Sequence, residues 1–138
     1  MVDKNVIAGR IETIEKHLDR LGAYTRLSRE EFLSDLNAQD IVEYNLFQIV
    51  NHLIDIIQHI AVDENFGFPE SAYDGVELLH GRTIFSDKDC EVLKKMIGFR
   101  NIIGHDYVKV SKETVYSILI KGPEDIGRIV SAIAKKFF

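Results

Sequence analysis

Arg100, His105 and Tyr107 fall within one short stretch, Phe99-Arg100-Asn101-Ile102-Ile103-Gly104-His105-Asp106-Tyr107. Arg offers a planar fork of donors that matches phosphate oxygens. His gives or takes a proton near neutral pH. A guanidinium, an imidazole and a phenol beside a glycine that can turn the backbone are the parts needed to grip and cleave a phosphodiester without a metal.

The loose spacing of Arg, four to six residues, then His also fits Arg10 and His17. That earlier pair lies mid-helix beside Glu12, Glu15 and Asp19 and reads as solvated surface. The later pair sits at a helix end. In an unbroken helix Arg100 and His105 would point about 140° apart, so a break at Gly104 is expected to swing His105 back toward the guanidinium.

Charge distribution supports an anionic ligand there. Residues 1–93 carry eight basic and eighteen acidic side chains, whereas 94–138 carry nine and four, so the last third is positive within a chain of net charge −5. Lys94, Lys95, Lys109 and Lys112 bracket the stretch, either as attraction for an anion or as ordinary solvated surface. The overall negative charge argues against indiscriminate nucleic-acid binding. A hydrophobic content of 46% with 28% charge is that of a folded chain rather than a disordered one, and 138 residues suit one domain spanning 1–138.

Helices must position these residues. Ile7, Ile11, Ile14, Leu18 and Leu21 alternate steps of four and three, the stripe of a bundle helix, with Gly22 as its stop. Ser28 and Glu31 form a capping box before a short helix through Phe32, Leu33 and Leu36. Asp40 and Glu43 repeat the pattern ahead of the longest helix, roughly 40–62. Residues 65–73 read as a loop, Ser71 to Leu79 as a short helix ended by Gly81, and His80 as a loop residue. Ser86 and Asp89 open the helix that Gly104 closes. Residues 113–120 are rich in β-branched side chains, yet no second strand-like run exists to pair with them, so they are expected to be helical. Gly122 and Pro123 are expected to end that helix and begin another. The fold class is all-α, an up-and-down bundle of five to six helices. No apolar run follows a basic start, and polar residues interrupt the apolar segment 41–62, so neither export nor a membrane span is expected and a cytoplasmic location is.

A second constellation lies on the longest helix, where Asn45, Gln48, His52, Asp55 and His59 follow steps of three and four and share one face. Three readings stay open: solvent or a polar subunit contact, a wall of the cleft that receives Arg100 and His105 with Asp55 or His52 holding the Arg side chain, or a metal site from His52, Asp55 and His59. The lone Cys90 excludes an intramolecular disulfide and reads as a semi-buried helix residue rather than a nucleophile. No glycine-rich phosphate loop or dinucleotide fingerprint is present, and neither a cofactor nor a metal is expected.

The stretch from Phe99 to Tyr107 resembles the Arg-x4-His-x-Tyr motif of the HepT-like family of HEPN domains. Tyr44-Asn45-Leu46, the turn from Asp55 to His59 and Met96-Ile97-Gly98-Phe99 extend the resemblance over nearly the whole chain. It implies a HEPN fold, a homodimer whose two motifs face one cleft, and a metal-independent ribonuclease toxin of a toxin-antitoxin system. It makes Arg100 and His105 catalytic, with Asn101 beside them, RNA the substrate, and a 2′,3′-cyclic phosphate the product. Tyr107 becomes the acceptor of AMP from a nucleotidyltransferase antitoxin, with which the dimer could assemble further. The alternative of another class is a non-catalytic helical module that binds a nucleotide or the nucleotidyltransferase.

Overall fold

The computed structural model describes residues 1–105 and 110–138. Six helices follow in order: α1 (Lys4–Gly22), α2 (Arg29–Leu33), α3 (Leu36–Asp63), α4 (Ala72–Gly81), α5 (Asp87–Ile103) and α6 (Lys112–Phe137), with no strand among the described residues. The all-α expectation holds, and no helix among these residues is long and apolar enough to cross a membrane.

Each helix starts where a short polar side chain can take an orphan backbone N–H. Asp3, Ser28, Asp35, Ser71, Ser86 and Ser111 cap the six helices in turn. The box at Ser28 is complete, because Glu31 also accepts from the Ser28 N–H. Hydrogen bonding from the Ser28 backbone N–H first, and from the Ser28 side chain second, holds the Glu31 carboxyl below its ordinary value.

Two boundaries differ from expectation. The long helix begins at Leu36 under an Asp35 cap rather than near Asp40, and Leu36 itself is exposed. Hydrophobic periodicity does not mark a first turn whose large apolar residue is exposed and whose buried positions are Ala38 and Gln39. The second difference is larger. Gly122 and Pro123 do not separate two helices, since α6 runs through both. Val115, Leu119, Gly122, Ile126, Ile129 and Ile133 are buried at steps of four and three, so one stripe crosses the proline. An interior proline costs about 3 kcal/mol, and each fully buried Val, Ile or Leu contributes roughly 1.5–3 kcal/mol. Five such residues on one stripe outweigh the lost hydrogen bond.

Helix α3 is the axis of the bundle, at about 42 Å from its 28 residues. It packs against all five other helices, and Ile49, Leu53, Ile56 and Ile60 are wholly buried along it. The remaining helices are arranged by which side of α3 they cover, and this decides what surrounds Arg100.

Candidate active site

Arg100 lies in the last turn of α5, where the helix dipole favours a cation. Its Nη1 donates to the Asn101 side-chain carbonyl at 2.7 Å. Its Nε is buried and has no hydrogen-bond partner among the described residues. Arg10, Arg29 and Arg128 each engage a carboxylate, whereas Arg100 has none among the described residues. A half-buried guanidinium held by a neutral amide, with a donor unmet, retains its charge for an outside anion. Leaving such a donor unpaired costs about 1–3 kcal/mol, which an incoming oxyanion would return.

Gly104 closes α5, but not by the expected reversal. Its φ of −67° and ψ of −12° are right-handed, its N–H bonds to the Arg100 carbonyl at 2.9 Å, and the His105 N–H bonds to that of Ile102 at 3.2 Å. The backbone therefore keeps its right-handed sense through Gly104. His105 is exposed. Tyr107 and Lys109 lie outside the described residues.

The basic bracket is thinner than the charge count implied. Lys94 is paired with Glu77, and Lys112 with Glu43 at 2.7 Å. Lys95 is exposed.

The polar face of α3 meets α1 in part. A Cβ at Gly104 would meet Phe47 at 3.7 Å, so Phe47 marks the side of α3 that approaches the end of α5. His52, five residues on, points about 140° away from Phe47. That side faces α1. His17 Nδ1 is hydrogen-bonded to Asn45 Oδ1 at 2.7 Å, and the His17 and His52 rings stack at 6.1 Å. Asp55 pairs with Arg10 at 3.4 Å. Neither Asp55 nor His52 holds Arg100; Asn101 does. Arg10 and His17, read from sequence as solvated surface, are half-buried and buried, with His17 7% exposed and its partner Asn45 2%. Gln48 is partly buried and His59 exposed. With Asp55 engaged by Arg10, His52, Asp55 and His59 form no metal-ligand group among the described residues. Burial, reinforced by the nearby Arg10 charge and His17, lowers the His52 pKa below the ordinary imidazole value.

Sequence reading passed over one constellation. Glu77-Leu78-Leu79-His80 is a Glu-x-x-His pair, and His80 belongs to the last turn of α4 rather than to a loop. The spacing was visible, but Cys90, which joins the pair in space, is ten residues away in sequence. Cys90 is 5% exposed, and burial pushes its thiol above its ordinary range, which disfavours a thiolate nucleophile.

Residues 14–133 match the family model described as ribonuclease HepT-like. The chain is 30% identical to the mRNA nuclease HepT of Shewanella oneidensis over 129 residues, covering 94% of this chain and 96% of that one. It is 25% identical over 115 residues to the tRNA nuclease HepT of Aphanizomenon flos-aquae, covering 83% and 78%. Among solved structures, the tri-AMPylated Shewanella oneidensis HEPN toxin in complex with the MNT antitoxin superposes with a TM-score of 0.88 at 28% identity, over 96% of this chain and 99% of that one. This all-α chain, matched by that family model over residues 14–133 and by a 30% identical relative over nearly its whole length, belongs to the HepT-like ribonuclease family.

Proposed function

We propose that this protein is an RNA endonuclease toxin that cleaves phosphodiesters without a metal and is silenced by AMP addition to Tyr107. The observation that carries the reading is the Arg100 guanidinium: cationic, half-buried, fixed by Asn101 and left without a carboxylate among the described residues. Family membership supplies the reaction class.

The ribose 2′-hydroxyl attacks the adjacent phosphorus while a histidine takes its proton. The 5′-oxygen then leaves with a proton from a second acid, giving a 2′,3′-cyclic phosphate. Arg100 stabilises the charge on the phosphorane oxygens, a contribution of about 3–4 kcal/mol for a preorganised donor. His105 is the base or the acid, and one imidazole cannot be both at once. A cleft shared by two copies meets that need, because each copy contributes its own imidazole. A nucleotidyltransferase antitoxin is the partner; AMP on the Tyr107 phenol adds phosphodiester charge and bulk beside the motif and competes with RNA.

The test is cleavage of total RNA by the purified protein. Wild type should leave 2′,3′-cyclic ends with or without EDTA, while Arg100→Ala and His105→Ala should leave RNA intact. Tyr107→Phe should cut normally and escape the antitoxin. Cleavage that EDTA abolishes sinks the mechanism, and nucleotide binding without any cleavage would make the protein a binding module instead.

A further inference from the structure

One cluster of chemically able side chains has no role in phosphodiester chemistry. Glu77 and His80 stand three residues apart on α4 and so share a face, and Cys90 comes from the first turns of α5. One donor atom from each lies within 4.8 Å of the others, and Cys90 Sγ is already 3.7 Å from Glu77 Oε1. Zinc bonds of about 2.3 Å to sulfur and about 2.0–2.1 Å to nitrogen or oxygen put tetrahedral donors roughly 3.3–3.6 Å apart. Side-chain rotation of about an ångström closes the gap without moving either helix.

Two neighbours fit the same chemistry. Asp87 Oδ1 lies 2.7 Å from His80 Nε2. The tautomer that donates Nε2–H to this carboxylate leaves the Nδ1 lone pair for a metal, the usual arrangement behind a ligating histidine. Lys94 sets its ammonium on Glu77, so a positive charge already occupies the carboxylate. Cys90 is buried, His80 partly so and Glu77 exposed, which leaves an approach from solvent.

We infer that Glu77, His80 and Cys90 bind one divalent transition-metal ion, zinc by donor type, which clamps α4 to the start of α5. A thiolate, an imidazole and a carboxylate are the mixed donor set that zinc accepts, with water in the fourth position. On binding, the Cys90 proton passes to solvent and the Lys94 ammonium leaves Glu77. The clamp does not take part in RNA cleavage, because Cys90 and Arg100 are ten residues apart on α5, about 15 Å along its axis.

Cobalt(II) titration of the chelator-stripped, reduced full chain tests this. Wild type should saturate at one equivalent, develop a thiolate-to-cobalt charge-transfer band, and lose it when zinc is added. Cys90→Ser should abolish the band. His80→Gln, a change at the surface, should weaken binding at least tenfold while helical circular dichroism is unchanged, and Lys94→Met should tighten it. Absence of the band in folded wild type overturns the inference, as does wild-type affinity in His80→Gln, whether or not Cys90→Ser folds.

Discussion

At the scale of single residues, Arg100 and His52 show how one fold keeps one polar group available and another silent. Arg100 has an amide neighbour and a donor unmet among the described residues, so its removal should affect catalysis far more than folding. We expect Arg100→Ala to lower the cleavage rate by roughly 10²–10³-fold, with a melting temperature at or slightly above wild type because a buried unpaired donor is gone. Arg100→Lys should not rescue, since an ammonium lacks the planar fork. His52 behaves oppositely. Its pKa is lowered in the folded state by burial first and then by Arg10 and His17, so the unfolded chain takes up its proton at higher pH than the folded one. Stability is therefore fully present above the ordinary imidazole pKa and is lost as pH falls through the folded value. Urea midpoints measured between pH 7.5 and 5 should show this decline, and His52→Gln should shallow it; an unchanged slope would remove His52 as its source.

At the scale of elements, α6 and the contact between α1 and α3 each expose a rule that local reading missed. Pro123 sits inside α6 because the buried stripe on either side holds the helix together across it. Pro123→Ala should restore a backbone donor and raise stability by about 1 kcal/mol or more, detectable as a higher urea midpoint. A lower midpoint would mean the proline sets a bend the core needs. Between α1 and α3, the hydrogen bond from His17 to Asn45 is the buried polar link. Asn45→Ala would leave the His17 ring nitrogen unpaired in the core and should cost about 1–3 kcal/mol, with cleavage by the remaining folded fraction unchanged. A selective loss of rate would return this face of α3 to the catalytic cleft.

At the scale of the whole molecule, the cleavage site and the inferred metal site lie at opposite ends of α5, and two measurements separate them. Chelation should leave the cleavage rate constant yet lower the melting temperature of metal-loaded protein by roughly 5–10 °C, the change expected when free metal exceeds Kd about a hundredfold. The second measurement concerns the copy number of the active site. After exchange of equal amounts of wild-type and His105→Ala subunits, activity should fall to about a quarter if both imidazoles of a two-fold cleft are required, whereas independent subunits would retain about half.

By itself the sequence determined the helical class, the caps at Ser28 and Ser86 and the buried stripes, because each is set by periodicity or by contacts within four residues, and it carries the Arg100 to Tyr107 motif in plain view. Tertiary structure decided which partner each polar residue takes. Asp55 went to Arg10, Asn45 to His17, Lys94 to Glu77 and Cys90 to the Glu77 and His80 pair. The physical reason is that a helix face is fixed by its own sequence, while the helix that covers that face is selected by packing of the whole core around α3.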